Sequence, residues 1–485
     1  MDMNTVSNVA AHAGDRLSAT VAVNRGGASA GAPAADPGER ILASGRTVCN
    51  DTRVSHLNNN DLIIGPSGAG KTRGYVKPNL LQCAGSVIVT DTKGNLVREV
   101  GPALAAHGYR VACLDFTDVG GWAASPIRGV PGAAMLGYNP LDFIRVGADG
   151  TFSEQDVMSI AGAISPVENL RDPFWEQAAA MYLSAFIAYT MQCLPRDEQT
   201  FASVQRMVSV MGEDSIAIMM EEMCEIDPQG MTARRWRAIK ASQKADRMDS
   251  SIRGILESKI APMSFSGADG MFTRPERIDF AKLATERWAV FVNVSDTDRS
   301  MDGMVNLFYT QALQQLCRFA DTSCEGSRLP VPVHLYLDDF ATNCRIPDFD
   351  KVIAVIRSRG ISVSVILQSL TQLEGMYGVA VASSIANNCD HWLYLGGQDV
   401  NTAKQISVKA CRTLDTVMQM PLDRAYLFER GRKPELVRPY DLTAHPLYRE
   451  TPEGRRAGGV RAAACADAAA DETFAELAAR APYER

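Results

Sequence analysis

The stretch "LIIGPSGAGKTRGYVKPNL" constrains this chain more than anything else in it: Gly65, four residues, then Gly70, Lys71 and Thr72 have the spacing of a phosphate-binding loop. An apolar run of strand character precedes the loop and a helical segment follows, which is the context such a loop needs. Its glycines let backbone N–H groups converge on the phosphates of a nucleotide. Lys71 brings positive charge to them, and the Thr72 hydroxyl is a ligand for Mg2+. The predicted nucleotide-binding set is Gly65, Pro66, Ser67, Gly68, Ala69, Gly70, Lys71 and Thr72, with ATP and Mg2+ as the expected cofactors.

A nucleotide site of this kind needs an acid at the tip of a second strand beside the loop. "PVHLYLDDFAT" supplies two: Asp338 is predicted to hold Mg2+ through its water shell, together with Thr72, and Asp339 to polarise the attacking water. Most such ATPases carry glutamate at the second position; Asp339 is one methylene shorter, so a working base and a weakened one are both open. In "IRSRGISVSVILQSL", Gln368 leaves the carboxyl end of a buried strand and is the candidate γ-phosphate sensor. Arg357, with Arg359 second, is the candidate for reaching a neighbouring subunit's nucleotide. The competing reading is a pair of solvated arginines at a helix end. The predicted catalytic set is Lys71, Asp339, Gln368 and Arg357.

Two weaker signals stand beside these. "VTDTKGNL" places Asp91, Lys93 and Gly94 just past a strand, but these are ordinary turn residues. "ARRWRAIKASQK" clusters Arg234, Arg235, Arg237, Lys240 and Lys244 around Trp236; it reads either as a nucleic-acid stripe or as a solvated helix face.

The apolar runs "DLIIG", "SVIVTD", "YRVACLDF", "WAVFVNVSD", "VHLYLDDF", "ISVSVILQS", "HWLYLGG" and "RAYLFER" are nearly continuous, as strands buried on both faces of a parallel sheet are. Helical segments such as 96–107 and 349–359 lie between them, so the fold class is α/β with a mainly parallel sheet. From 151 to 284 the strand signal fades into long helical patterns, predicting an all-helical domain inserted in the sheet domain, its Phe174 helix opened by Asp172 and Pro173. The predicted organisation is a disordered leader (1–45), a nucleotide-binding domain in two parts (46–150 and 285–448), the helical insert (151–284) and a flexible tail (449–485) in which "DETFAELAARA" is a short helix.

With 485 residues and 46% hydrophobic content the chain can bury one large core and a smaller one. A net charge of −7 argues against a generally basic nucleic-acid binder and leaves room for a local basic channel. Eleven singly scattered cysteines without metal-binding spacing read as reduced, mostly buried thiols. The N-terminus lacks the pattern of a signal peptide, and the longest apolar stretch, Ala178 to Leu194, reads as a buried helix rather than a membrane span.

Taken together, "GPSGAGKTRGYVKPNLLQ", "SVIVTDTKGNL", "YNPLDFI", "DPFWEQA", "LYLDDFATNCRIPDFDKVIAVIRSRGISVSVILQSLTQLEGMYG", "IANNCDHWLYLGG" and "DRAYLFERGRKP" resemble the type IV coupling proteins, the TraG-type conjugative DNA transfer ATPases, across about residues 50 to 445. The resemblance implies a RecA-like P-loop NTPase core with an inserted helical domain that recognises substrate, acting as a homo-hexameric ring. It implies an ATPase that recruits relaxase-bound single-stranded DNA, held without sequence preference, and drives it into a type IV secretion channel during conjugation. The family's phosphate-loop roles fall on Gly65, Gly68, Gly70, Lys71 and Thr72, its second-strand roles on Asp338 and Asp339, and its glutamine on Gln368. The family's N-terminal membrane hairpin has no counterpart here, so the expectation is a soluble variant, cytoplasmic and peripheral at the inner face of the cell membrane. Two other functions remain open: a nucleotide-gated substrate receptor with little hydrolysis, and an FtsK-type DNA translocase.

Overall fold

The computed structural model describes residues 36–117, 127, 129–167, 171–243, 246–264, 269–340 and 345–457. The greater part of the expected leader, the short helix of the tail and Lys244 lie outside these residues.

A two-stranded antiparallel sheet, β1 (Glu39–Ala43) and β2 (Arg46–Cys49), precedes a ten-stranded sheet. The latter comprises β3 (Asp61–Ile64), β4 (Ser86–Asp91), β5 (Arg110–Asp115), β6 (Ala134–Met135), β7 (Trp288–Asn293), β8 (Val333–Leu337), β9 (Ile361–Leu367), β10 (His391–Tyr394), β11 (Ala425–Glu429) and β12 (Glu435–Val437). Their order across the sheet is β12-β11-β10-β3-β9-β8-β4-β7-β5-β6. From β10 to β6 every pairing is parallel; β11 and β12 close the other edge antiparallel. The expected α/β class with a mainly parallel sheet is therefore present. Burial on both faces explains why the central strands lack polar alternation: all four residues of β3 and all six of β4 and β7 are buried.

Successive side chains serve opposite faces, since the strand period is two. Ile63 points to a face covered by α1 (Lys77–Leu81) and α2 (Leu96–Ala106), while Leu62 and Ile64 belong to the core on the other face. That second face meets the helical segment between β6 and β7: α3 (Glu154–Ile164), α4 (Phe174–Cys193), α5 (Phe201–Ser209), α6 (Asp214–Ile226), α7 (Met231–Gln243) and α8 (Asp246–Ile260). The bridge between them is α9 (Asp302–Ser323), whose Phe308 meets Tyr138 edge-on with ring centroids 5.3 Å apart and packs on Phe280 at 5.8 Å. The Tyr138 hydroxyl donates to Gln311 Oε1 on α9 at 2.6 Å. The helical residues and this face of the sheet thus share one hydrophobic core. Among the described residues past β8, the α-helices of seven or more residues are α10 (Phe349–Val355), α11 (Leu370–Tyr377), α12 (Val379–Asn387) and α13 (Val400–Ala410).

Helix α4 begins at Phe174 straight after Pro173, as read from the sequence. Its middle is buried by neighbours on several sides, which is why the residues from Ala178 onward are apolar all round. Among the described residues no helix is long and apolar enough to cross a membrane. The nine described cysteines are free, and only Cys113 and Cys389 are buried, which corrects the expectation of mostly buried thiols.

Both ends of the expected domain boundaries shift. Part of the expected leader is folded: β1 lies in 39–43, and Arg40 is 3% exposed because it forms a bidentate pair with Asp61, itself 0% exposed, at 2.5 and 3.0 Å. The same carboxylate accepts from the Tyr75 hydroxyl, and Tyr75 also meets Ser364 Oγ at 2.7 Å. At the other end, residues up to 457 fold back: Glu453 forms a double hydrogen bond with Arg73 at 2.8 and 2.9 Å, and His445 is buried. His445 Nδ1 accepts from the Leu447 N–H at 3.1 Å, which leaves Nε2–H to donate to Gln82 Oε1 at 3.1 Å.

His445 makes a pH prediction. Burial pushes its pKa down to about 4, so the folded state resists a proton that the unfolded chain accepts near 6.5. Stability from this group is complete above pH 6.5 and is lost as pH falls towards 4. The loss by pH 5 is about 1–2 kcal/mol, from roughly 1.4 kcal/mol per pH unit. Urea unfolding at pH 7 and pH 5 should show the drop, and His445→Gln should lessen it, the remainder including the buried His334, whose pKa burial also pushes down; an unchanged difference in the variant would refute the assignment.

Candidate nucleotide site

The loop of residues 65–71 leaves the C-terminal end of β3, between β10 and β9, while the chain's own next strand, β4, is three places further along the sheet. This is a switch point of the sheet, where ligands of open α/β folds bind. Gly68 and Gly70 have φ of +80° and +86°, which bulkier residues adopt only under strain. After the loop, Thr72–Val76 wind as one π-helical turn before α1, so an open helix N-terminus faces the loop.

Lys71 is buried and donates to the carbonyl oxygens of Gly65 at 2.6 Å and Pro66 at 3.1 Å. Burial lowers its pKa, opposed by the charges of Asp339 and Asp338. The Thr72 hydroxyl donates to Asp338 Oδ2 at 2.7 Å. Asp338 stands one residue beyond β8, which is separated from β3 only by β9, so its carboxylate spans the tip of one strand to reach the loop. Burial raises the Asp338 pKa and Asp339 adds to it, against the Thr72 hydrogen bond and the Lys71 charge. The backbone N–H of Asp339 donates to Asp338 Oδ1 at 3.1 Å.

Asp339 itself has φ of +49°, a left-handed conformation that aspartate tolerates far better than most residues. Its Oδ1 is buried without a hydrogen-bond partner among the described residues. Such an oxygen calls for a water or ligand proton. The donor set also fits a Mg2+ ion bound jointly with a nucleotide. Thr72 Oγ and Asp338 Oδ2 are hard oxygens already in contact, and one carboxylate with a hydroxyl suits an ion that takes its remaining ligands from phosphate and water. No group of three or more His, Cys, Asp or Glu among the described residues could hold a metal by itself.

Gln368 is the residue after β9, and the Gly65 N–H donates to the Leu367 carbonyl at 3.1 Å, so Gln368 stands directly beside the start of the loop with its side chain exposed. The geometry thus brings Gly65 to Thr72, Asp338, Asp339 and Gln368 together. It does not bring Arg357 to them within one chain. Arg357 precedes β9, at the opposite end of that strand from Gln368, and donates to the Thr52 carbonyl at 2.9 Å. Arg359 is committed to Asp321, with two bonds of 2.9 Å.

The weaker signals resolve to structure. Asp91 accepts the N–H groups of Lys93 and Leu96 at 3.1 and 2.7 Å, a buried turn cap at the start of α2. In α7, Trp236 is buried in the core, Arg234 pairs with Glu154 at 2.5 Å and Lys240 with Glu221 at 2.5 Å. The aromatic of the stripe thus faces inward, and two of its cations are paired with carboxylates.

Sequence reasoning missed Asp399. Its carboxylate accepts from Thr371 Oγ1 at 2.7 Å, the Thr402 N–H at 3.0 Å and Thr402 Oγ1 at 2.5 Å. An Asp three residues before a Thr at a helix start was the only available signal.

Comparison with known proteins agrees with this geometry. Residues 36–419 match the model of the family described as type IV secretory system conjugative DNA transfer. The protein VirD4 of Agrobacterium fabrum (strain C58 / ATCC 33970) is 26% identical over 368 residues, covering 73% of this chain and 50% of VirD4. VirD4 of Rhizobium rhizogenes is 25% identical over 357 residues, 71% of this chain and 48% of that protein. The chain thus spans about half the length of the curated relatives it matches. Among solved structures, the bacterial conjugative coupling protein TrwBdeltaN70 superposes with a TM-score of 0.60 at 14% identity, covering 83% of this chain and 88% of that one. The plasmid coupling protein TrwB in complex with ADP and Mg2+ gives 0.59 at 14% identity, covering 83% and 88%.

Proposed function

The chain belongs to the type IV secretory system conjugative DNA transfer family, and on that premise we propose that it is an ATP-hydrolysing coupling protein that moves relaxase-bound single-stranded DNA towards a type IV secretion channel. Its fold is the α/β P-loop fold shared with TrwB. The single observation that carries the proposal is the contact of Thr72 with Asp338 beside Lys71, with the unpartnered oxygen of Asp339 on the same tip. TrwB, which shares the fold, has been solved with ADPNP and with ADP and Mg2+, which supports ATP and Mg2+ as the cofactors here.

In this reading Lys71 exchanges the Gly65 and Pro66 carbonyls for the β and γ phosphates, and the N–H groups of the loop hold their oxygens. Thr72 and Asp338 would hold Mg2+, which when bound offsets the charge on the phosphates. Asp339 accepts a hydrogen bond from the attacking water and takes its proton as the water oxygen bonds to the γ phosphorus and the ADP oxygen leaves. Gln368 orients the γ-phosphate from the tip of β9. Arg357, at the far end of β9, serves only across a subunit boundary, which makes a homo-hexameric ring at the inner face of the membrane part of the proposal. The helical residues between 151 and 284 are the proposed substrate-recognition domain, and residues 46–150 with 285–448 the motor.

The test is steady-state ATP hydrolysis across protein concentration, with and without single-stranded DNA, beside a Lys71→Ala control. A rate that rises with DNA and with protein concentration, falls with salt and vanishes in the control supports an oligomeric DNA motor. Binding of nucleotide with turnover no higher than the control would instead support a nucleotide-gated receptor, and indifference to DNA would remove DNA from the substrate.

A further inference from the structure

We propose that Asp399 is a positioning residue for hydrolysis, fastening the Gln368 loop to the loop that packs on the start of the phosphate loop. The inference rests on the nucleotide-site reading above.

The two loops leave neighbouring strands on either side of β3. The loop after β10 runs through Leu395, Gly396 and Gly397 to Asp399 and lies against the phosphate loop. The Leu395 N–H donates to the Ile64 carbonyl at 2.8 Å, and a Cβ placed on Gly65 would come within 2.9 Å of the Leu395 Cβ. A Cβ on Gly397 would stand 3.9 Å from Pro66 Cδ. The loop after β9 carries Gln368 and then Ser369, Leu370 and Thr371. Asp399 joins the two. Thr371 Oγ1 donates to Asp399 Oδ2 at 2.7 Å, Thr402 Oγ1 donates to the same oxygen at 2.5 Å, and the Leu370 N–H donates to Thr402 Oγ1 at 2.9 Å.

An aspartate that only capped α13 would need the Thr402 N–H, which it accepts at 3.0 Å. The Thr371 and Leu370 bonds belong to a different element and do nothing for that cap. They hold the first turn of α11, and with it Gln368, at a set distance from the phosphate loop. Gln368 is otherwise held by its backbone N–H to Gln372 Oε1 at 3.2 Å, a bond within its own helix turn. A further bond, from Gln405 Nε2–H on α13 to Glu374 Oε1 on α11 at 2.9 Å, joins the two helices a turn beyond Thr371, so the Asp399 link is the one that acts next to Gln368. Groups that orient a reacting group through another residue commonly change rates by about 10–100-fold.

Two variants separate positioning from capping. Thr371→Val removes the cross-loop hydroxyl and leaves the α13 cap whole; Asp399→Asn keeps the cap acceptor and weakens both links. Each is expected to lower kcat about tenfold or more, with the affinity for ADP unchanged and the preference for a slowly hydrolysed ATP analogue over ADP reduced, and Thr371→Val is expected to melt within a degree or so of the unaltered protein. Asp399→Glu should recover less than Asp399→Asn loses, because the longer side chain overshoots. Wild-type kcat and analogue preference in both variants, while Gln368→Ala is impaired, would overturn the positioning role and leave the nucleotide site standing. Failure of the unaltered protein to bind ADP or the analogue would overturn the inference together with the reading it rests on.

Discussion

Asp338→Asn is expected to lower steady-state ATP hydrolysis by about a hundredfold or more while leaving the protein at least as stable as before. A loss of about 3 kcal/mol of transition-state stabilisation corresponds to that factor, and metal-assisted charge neutralisation is worth several kcal/mol. The amide keeps the size of the side chain and an oxygen for the Thr72 hydroxyl, which now donates to Asp338 Oδ2 at 2.7 Å. What it removes is the negative charge that would face the metal. The stability arm follows from the sign of the pKa. Burial, with Asp339 beside it, raises the Asp338 pKa, so the ionised carboxylate is held at a cost to the fold at neutral pH, and its neutral replacement relieves that cost. Two measurements check the pair of statements: ADP affinity titrated with Mg2+, which should tighten in the unaltered protein and stay flat in the variant, and urea unfolding at pH 7. A variant that hydrolyses normally would remove Asp338 from the metal site; one that unfolds easily would make its role structural.

The second large effect falls at the opposite, N-terminal end of β3. Arg40→Ala or Asp61→Asn is expected to destabilise the protein by about 3–5 kcal/mol, because each leaves a buried charge or polar group without its partner. Both residues are almost wholly buried, and Asp61 is contacted by Arg40, Tyr75 and His391. Burial raises the Asp61 pKa and Arg40 outweighs it, so the carboxyl is held well below its usual range. The stability it contributes is present above the unfolded pKa near 4 and is lost as pH falls towards the folded value. The double variant Arg40→Met, Asp61→Leu removes both charges at once and is expected to recover much of the loss, as buried pairs replaced by apolar residues often do. Urea unfolding of the three variants decides it: single variants no weaker than the double would mean that the pair contributes nothing specific. Since Tyr75 sits one helical turn past Thr72, the singles are also expected to loosen nucleotide binding, which the double restores.

Much of this was legible in the sequence because it depends on local chemistry. Gly65, Gly70, Lys71 and Thr72 announce their use by spacing, since a loop that wraps phosphates needs those residue types in that order. The apolar runs around β3, β4 and β7 announce a doubly covered parallel sheet, because strands buried on both faces cannot afford polar alternation. Asp338 and Asp339 announce a strand tip for the same reason: two charges end an apolar run only where the chain leaves the sheet.

Other features have no local signature. Arg40 lies in a stretch of ordinary composition, and its burial is decided by Asp61, 21 residues later, and by Tyr75 in the turn after the phosphate loop. Arg234 and Lys240 of α7 carry no local sign of their carboxylate partners, Glu154 and Glu221, nor Trp236 of the core that buries it. Arg357 and Gln368 are eleven residues apart on one continuous segment, yet β9 between them puts one at each end of the strand. Asp399 meets Thr371 only because β9 and β10 flank β3 and set their exit loops side by side. The sequence by itself determined which residues can cradle phosphate and which runs must be buried, because those properties reside in single residues and their immediate spacing. The tertiary structure alone decided which charges are spent on one another and which face the nucleotide, because that depends on the order of strands in the sheet, which brings together residues hundreds of positions apart.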